Sequence, residues 1–369
     1  MKVLVIGGTG PTGPHIVNGL LDRGHDVSVL NRGAHDTGAI PAHVERIVGD
    51  PHFRETLADA LVGRHYDIIV ATYGRIRYVA EVVASHTHRL ISVGGSPGYR
   101  GTRTPESLYP QGLQVPLPED APKVETEEEF RFGYLAKISE DAVLAHHARG
   151  DYVATHLRYP LVYGPRQLAP SEWWVIRRIL DKRQHIVLPD GGLTVQTRGY
   201  SENMAHAVLL AVDHPDASGG KIYNCGDVLQ FTMAQWVELI ASTLGAALDI
   251  VSVPAAFAYP ARDLMIRRTH SHHQLFDLHA IRSDLGYTDQ TSPVDAMAKT
   301  VRWYLDNPVD ESEQQRADLA AHYRTEDAMA AVCREAVAKL AEVEHVERDF
   351  SHPYAHPKRP GLGLDHMNR

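Results

Sequence analysis

The first candidate for chemistry is a glycine-rich loop near the start of the chain. Gly8, Gly10 and Gly13 have the spacing Gly-x-Gly-x-x-Gly. Gly7, Gly10 and Gly13 have the related spacing Gly-x-x-Gly-x-x-Gly. The loop lies between an apolar run and a helical pattern, which is the context in which this motif binds phosphate. Backbone amides there approach a pyrophosphate, and the helix N-terminus adds partial positive charge. We therefore predict that a dinucleotide binds at Gly7, Gly8, Thr9, Gly10, Pro11, Thr12 and Gly13. The alternative is a tight turn without a ligand.

The residues after the second apolar run bear on which dinucleotide is bound. An acidic residue at this point would hold the ribose 2′-hydroxyl of NAD, but the chain has Asn31 and Arg32. Because Arg clamps a phosphate with several donors, we expect NADP(H) to be favoured, with NAD(H) possible. Asp50, after a third apolar run, is expected to accept from the adenine amino group. The alternatives are an exposed arginine in a turn and an acid that caps a helix.

The glycine loop is the first turn in an alternating pattern of strands and helices. Apolar runs at 3–6, 27–30, 66–72 and 89–95 are typical of buried strands, and helical segments lie between them. Buried strands that alternate with helices form a parallel sheet covered on both faces. We predict a doubly wound (Rossmann) α/β fold with a smaller, mixed α/β substrate lobe and a C-terminal helical extension. Further cofactor contacts are expected at Ala71, Thr72 and Tyr159.

Composition limits the class of protein. The chain has 369 residues, enough for about two domains. Its 43% hydrophobic and 22% charged residues are typical of a globular protein. A net charge of −9 argues against a nucleic-acid partner, and the two cysteines fit a reducing compartment. The first apolar run is too short for a signal peptide, and no apolar run reaches the roughly 18 residues of a membrane span. We expect a cytoplasmic protein without a membrane partner.

Several later segments resemble one family, the extended short-chain dehydrogenase/reductases of the NAD(P)-dependent epimerase/dehydratase type. The resemblance covers about residues 1–305. The segments that carry it are LRYPLVYGPRQ (157–167), TRGYSENMAHAVLLAV (197–212), IYNCGD (222–227), FTMAQWVELIASTLG (231–245) and IRSDLGY (281–287). Residues 170–192 are also similar to an atypical branch that includes chloroplast RNA-associated proteins.

The resemblance implies a catalytic Tyr followed four residues later by a Lys, with a Ser or Thr that binds the reacting oxygen. This chain has Tyr134 and Lys137, which are three residues apart. Aligning the helix by its later acid instead puts Phe132 and Ala136 at the two positions, and aligning it by Lys137 puts Gly133 at the Tyr position. Residues three apart still share a helix face, and a local π-bulge would restore the usual geometry. Tyr134 is therefore either the acid/base or a side chain packed near the cofactor.

The Ser position and the substrate contacts are also predicted from single residues. Ser96 is the candidate that binds the reacting oxygen and substrate, and Ser92 is the second choice. Trp173 is expected to stack on a substrate, or else to anchor a helix in the core. Arg198 is expected to clamp an anionic group, or else to form a structural ion pair. The histidines at 270–273 lack metal-ligand spacing, so we predict no metal site.

We expect residues 1–165 to form the dinucleotide-binding domain, with 195–228 returning to it. The substrate lobe is expected at 166–194 and 229–305, and a helical extension and tail at 306–369. One face of the extension is apolar at Met329, Cys333, Ala336, Leu340 and Val343, which favours a homodimer. The Pro-rich segment 352–361 is expected to be a loosely docked arm.

Two functions of different class remain. The first is an NADP(H)-dependent oxidoreductase or epimerase that acts on a secondary alcohol or carbonyl of a small, sugar-like substrate. The second is an atypical member that binds dinucleotide without the usual Tyr/Lys redox chemistry, as a regulatory, RNA-associated or non-redox protein. The Tyr134-x-x-Lys137 pair favours the first, and the missing Tyr-x-x-x-Lys favours the second.

Overall fold

The computed structural model describes residues 1–33, 38–265, 270–347 and Pro360. Within these residues a parallel sheet has the strand order β10-β6-β5-β4-β1-β2-β3. Its strands are β1 (Lys2–Ile6), β2 (Asp26–Asn31), β3 (Glu45–Val48), β4 (Ile68–Ala71), β5 (Arg89–Gly95), β6 (Val153–Tyr159) and β10 (Lys221–Asn224). The order of the strands reverses between β1 and β4, so the topological switch point of the sheet lies there.

Two smaller parallel pairs lie outside this sheet. They join β7 (Leu161–Tyr163) to β9 (Arg198–Tyr200), and β8 (His185–Pro189) to β11 (Asp249–Val253). The helices are α1 (Gly13–Asp22), α2 (Arg54–Leu61), α3 (Ile76–Val83), α4 (Glu127–Ala148), α5 (Ser171–Leu180), α6 (Ser201–Asp213), α7 (Pro215–Ser218), α8 (Met233–Thr243), α9 (His279–Leu285), α10 (Pro293–Asp306) and α11 (Glu313–Ala341).

Strand β1 shows why its sequence is apolar without interruption. Val3 and Val5 pack into one core, with helices α1, α6 and α9. Leu4 and Ile6 pack into the opposite core, with α2, α3 and α4. Because successive side chains of a strand face opposite sides of the sheet, a strand covered on both faces needs apolar residues at every position. The predicted doubly wound fold is confirmed.

The chain divides into a compact unit of residues 1–330 and a second unit of residues 331–369. Both predicted lobes belong to the first unit, and their boundaries stay predictions. In the second unit, Val337, Leu340 and Val343 are exposed, and the homodimer stays a prediction. Of the predicted arm at 352–361, only Pro360 is among the described residues. None of the described helices is both long enough and apolar enough to cross a bilayer.

A buried ion pair anchors the first part of α11 to α5. Arg178 donates from Nε to Glu326 Oε1 at 2.8 Å, and its Nη2 lies 2.7 Å from the same carboxylate. The two side chains are 1% and 0% exposed. Removing one partner of such a pair leaves a buried charge without compensation, which costs more than the pair itself contributes.

We therefore expect Glu326→Ala to lower the free energy of unfolding by about 3–5 kcal/mol. Urea denaturation followed by circular dichroism measures this change. The control is Glu335→Ala, which breaks the exposed Glu335–Lys339 pair and should change stability by less than about 1 kcal/mol. Equal unfolding midpoints for the two variants would show that the Arg178–Glu326 pair does not anchor the helix.

Candidate active site

The glycine loop adopts a conformation that its sequence requires. Gly7 and Gly8 have φ angles of +111° and +78°, in the region that only glycine occupies without strain. A Cβ on Gly13 would lie 2.2 Å from the carbonyl carbon and oxygen of Gly8. The start of helix α1 therefore packs against the end of strand β1 more closely than any side chain permits, as the motif predicts.

Gly10 differs from these three glycines because a Cβ there would meet no protein atom within 4 Å. The sequence predicts that a Cβ at Gly10 would have no room beneath a pyrophosphate. Since the protein itself leaves that space open, any steric limit at Gly10 comes from the ligand. Helix α1 begins beside it, and the Thr12 side chain makes no capping hydrogen bond. An open space next to the positive end of a helix fits a pyrophosphate.

The end of β4 lies beside this loop. Thr72 donates from its amide to the carbonyl oxygen of Ile6 at 2.9 Å, and its hydroxyl donates to the same oxygen at 3.2 Å. A Cβ on Gly7 would lie 2.5 Å from the Thr72 Oγ1. Ala71 pairs with Ile6 in the sheet. The structure thus brings the predicted cofactor residues Ala71 and Thr72 to the glycine loop.

The predicted adenosine contacts lie at the ends of β2 and β3. Asn31 accepts from the Gly33 amide at 2.8 Å, so its side chain is turned to the main chain, while Arg32 is exposed. Asp50 accepts from the His52 amide and from the His52 ring, both at Oδ1. The backbone hydrogen bond is the main cause of a lowered Asp50 pKa. Because Oδ2 takes no part in these bonds, the carboxylate has an acceptor for an adenine amino group.

Two residues at this end of the site, Tyr73 and His52, were not predicted from the sequence. The Tyr73 ring lies 5.5 Å from the Arg32 guanidinium carbon and 4.9 Å from the His52 ring. The signal for Tyr73 was its place directly after Ala71 and Thr72 at a strand end. No local pattern indicates its contact with Arg32, because the two residues are 41 positions apart.

The helix that carries the predicted acid/base is α4. Thr126 caps it by accepting from the Glu129 amide, and Phe130 has a non-helical conformation. From there to its end α4 is an α-helix, and no π-helical turn separates Tyr134 from Lys137. Tyr134 therefore lies about 60° around the helix axis from Lys137, and the bulge that would restore the usual geometry does not form.

Lys137 and Ser96 share one cavity of about 230 Å³. Its other lining residues are Gly95, Gly98, Tyr99, Lys123, Ala136, Glu140 and Arg158. Tyr134 is not among these lining residues. Gly133, four residues before Lys137, is buried, and its carbonyl oxygen would lie 3.7 Å from a Cβ on Gly98. The structure thus brings together two of the three predicted catalytic residues, Ser96 and Lys137.

A buried polar network forms the floor of this cavity. Arg158 donates to both oxygens of Glu140, at 2.7 and 2.8 Å, and Lys123 donates to the same carboxylate. Burial alone would raise the pKa of Glu140, but the hydrogen bonds and charge of Arg158 outweigh it and lower this pKa to about 2. This network ties α4 to β6 one turn beyond Lys137, and sequence reasoning gave no indication of it.

The second choice for the catalytic serine lies in the same core. Ser92 is fully buried, and its hydroxyl lies 2.8 Å from the His156 Nδ1. Burial lowers the pKa of His156 to about 4, so this histidine is neutral at neutral pH. Ser96 is among the residues that line the cavity, and Ser92 is not.

The remaining predicted residues lie farther from the loop. Tyr159 is buried in the core and donates to the Met204 carbonyl at 2.6 Å, so its hydroxyl is already used. Trp173 is 7% exposed and donates from its indole to Glu311 at 2.6 Å. These two side chains therefore have structural partners, and their cofactor and substrate contacts stay predictions.

Arg198 lies in a buried setting that still opens to a cavity. Its guanidinium lies 4.2 Å from the centre of the Trp236 ring and 3.9 Å from the Glu172 carboxylate. It lines a cavity of about 400 Å³ together with His270 and His272. Among the described residues, no three His, Cys, Asp or Glu side chains are grouped as a metal site would need.

A doubly wound parallel sheet with a glycine loop at its switch point defines a Rossmann-type dinucleotide-binding fold. The family model described as the NAD dependent epimerase/dehydratase family matches residues 101–226. This match covers about a third of the chain, and it supports the predicted resemblance to the extended short-chain dehydrogenase/reductases.

Several known proteins are similar to the chain over most of its length. A 3-diazoavenalumate denitrifying reductase from a Streptomyces species is 28% identical over 273 residues, which cover 70% of this chain and 86% of that protein. The UDP-glucose 4-epimerase of Thermotoga maritima, solved with UDP-glucose, has a TM-score of 0.67 at 17% identity, over 83% of this chain and 99% of that chain. The dTDP-glucose 4,6-dehydratase of Bacillus anthracis, solved with NAD, has a TM-score of 0.64 at 17% identity. The match covers 83% of this chain and 97% of that chain. These structures share the fold, and the family supports an enzyme that uses a nicotinamide dinucleotide.

The loop geometry gives a test that separates binding from folding. We expect Gly10→Val to weaken NADPH binding by more than tenfold, because the side chain fills the space of the pyrophosphate, and to leave the unfolding midpoint unchanged. Gly13→Ala should instead lower the midpoint, because its Cβ meets the Gly8 backbone. Fluorescence titration and thermal unfolding measure the two effects. Normal NADPH binding by Gly10→Val would show that the dinucleotide does not use this loop.

Proposed function

We propose that this chain is an NADP(H)-dependent oxidoreductase that acts on a carbonyl or secondary alcohol of a small, sugar-like substrate. The observation that carries the proposal is the glycine loop. Its tight contact at Gly13 and its open space at Gly10 form a cradle for a pyrophosphate at the switch point of the sheet. The family match and the NAD-bound relative support a nicotinamide dinucleotide.

The preference for NADP(H) rests on the end of β2. No acid stands at position 31 or 32 to repel a phosphate, and the exposed Arg32 guanidinium supplies charged donors. The Asn31 side chain is bonded to the Gly33 amide, so it holds the turn that presents Arg32. Asp50 Oδ2 takes no part in the hydrogen bonds to His52, and we assign this oxygen to the adenine amino group.

When bound, a reduced nicotinamide would supply a hydride to the carbonyl carbon. The protein must then stabilise the negative charge on the carbonyl oxygen and protonate it. We assign this oxygen to the cavity that Ser96 and Lys137 share, where the hydroxyl and the ammonium both donate hydrogen bonds. A hydrogen bond to Asp141 raises the Lys137 pKa, so this side chain stays charged at neutral pH. Its role is to stabilise the negative charge that develops on the oxygen. We assign the proton to the Tyr134 hydroxyl, because residues three apart on a helix share a face.

Reduction and epimerisation need the same group at the reacting oxygen, because the acid that protonates the oxygen in reduction is the base that removes the proton in the reverse step. The similarity to a denitrifying reductase favours reduction. We further propose that Arg198, with His270 and His272 in the same cavity, binds an anionic part of the substrate.

A second candidate function is supported by Gly133, which lies four residues before Lys137. If no side chain replaces the missing tyrosine, the chain binds dinucleotide without family redox chemistry. In that case NADPH would bind to the glycine loop, and no carbonyl substrate would be reduced.

Cofactor choice depends on Arg32. We expect Arg32→Ala to weaken NADPH binding by more than tenfold, because charge-assisted hydrogen bonds to a phosphate contribute roughly 1.5–3 kcal/mol each. NADH binding should change by less than about twofold. Calorimetric titration of both cofactors measures this, with Arg149→Ala as an exposed arginine control. Tighter binding of NADH than of NADPH by the unmutated protein would contradict the preference.

Proton transfer depends on Tyr134 and Lys137. We expect Tyr134→Phe to lower turnover by about 10²–10⁴ while NADPH affinity stays within a fewfold, because only the hydroxyl is lost. Lys137→Met should lower both turnover and affinity, and the two losses should not add in the double variant. The assay follows NADPH absorbance with a panel of aldehydes, ketones and nucleotide sugars. Unchanged turnover by Tyr134→Phe would remove this tyrosine from the mechanism and leave Ser96 and Lys137.

A further inference from the structure

Tyr73 and Arg32 contact each other across the glycine loop. Tyr73 follows β4, Arg32 follows β2, and the loop follows β1, which lies between those two strands. The strands that carry the two side chains are two spacings apart, or about 9–10 Å. The guanidinium carbon nevertheless lies 5.5 Å from the ring centre, so the two side chains approach each other beside the loop. The open space at Gly10 in this loop is called the groove below.

The position of the Tyr73 ring is fixed by its surroundings. The His52 ring meets it edge to face, with centres 4.9 Å apart and planes at 83°. His52 is itself fixed by its two hydrogen bonds to Asp50. The backbone beside the ring is tightly packed as well, because a Cβ on Gly74 would lie 2.7 Å from Pro51. Tyr73 is 42% exposed, so the fixed ring also presents a surface to the groove.

A guanidinium can use a ring and a phosphate at the same time. Its N–H donors lie in its plane, whereas a ring contacts its face. A cation–π contact with Tyr73 at 5.5 Å is therefore compatible with hydrogen bonds from Arg32 to a phosphate, and it restricts rotamers that would otherwise be lost when a ligand binds.

We infer that Tyr73 is a specificity-determining positioning residue, which holds Arg32 over the groove to receive the 2′-phosphate of a 2′-phosphorylated adenosine. This inference rests on the proposed NADP(H) function and assigns it a residue outside the catalytic cavity. Tyr73 makes a flexible surface arginine into a preorganised one. It should therefore favour NADPH over NADH without touching the phosphate itself.

Binding of adenosine 2′,5′-bisphosphate and of AMP, measured by calorimetry, tests this without any substrate. We expect Tyr73→Leu to weaken the bisphosphate by about three- to tenfold and AMP by less than twofold. Tyr73→Phe keeps a ring and should retain the affinity. In the Arg32→Ala background, Tyr73→Leu should have no further effect on the bisphosphate, because the residue acts through the arginine.

Tyr78 provides a matched control, since it carries the same kind of contact away from the loop. Arg54 and Arg77 lie 4.0 and 4.6 Å from its ring centre. Tyr78→Leu should leave the affinity for both nucleotides unchanged, and thermal unfolding should show all variants folded. Equal losses for the bisphosphate and AMP, or a full effect in the Arg32→Ala background, would overturn the inference. If the unmutated protein binds neither the bisphosphate nor NADPH, the proposed function itself fails.

Discussion

The contact between Gly13 and the Gly8 carbonyl is the constraint on which the rest of the molecule depends. It brings the start of α1 against the end of β1, so that backbone and helix charge meet at the switch point of the sheet. Every other part of the site is placed relative to this point. The strand on one side carries Arg32, and the strand on the other carries Thr72 and Tyr73. The cavity that Ser96 and Lys137 line lies farther along the same edge, at the end of β5.

The geometry of the cavity also depends on the buried carboxylate of Glu140. Arg158 and Lys123 compensate its charge, and their bonds fix the rotation of α4 against β6. Since that rotation decides which side chains face Ser96, the network places Lys137 in the lining of the cavity, with Tyr134 three residues earlier on the same helix. The geometry of this site thus depends on a carboxylate that is buried beneath it.

The sequence predicts the parts of this molecule that depend on local patterns. Continuous apolar runs specify the buried strands, and the glycine spacing specifies the loop, because backbone geometry there tolerates few other residues. The predictions at nearby strand ends, such as Ala71 and Thr72, follow from the topology of a parallel sheet. Contacts between distant segments are different. Tyr159 and Trp173 looked available for ligands, yet Met204 and Glu311 engage them through the tertiary fold. The Glu140 network and the Tyr73–Arg32 contact escaped prediction for the same reason.

The contact between α4 and the 96–98 turn also bears on what holds Ser96 in place. A Cβ on Gly98 would lie 3.7 Å from both the Gly133 carbonyl oxygen and the Lys137 amide nitrogen, which are ordinary van der Waals distances. The helix and the turn therefore meet mainly through main-chain atoms. The position of Ser96 relative to the helix thus depends on the backbone of α4 more than on any one of its side chains.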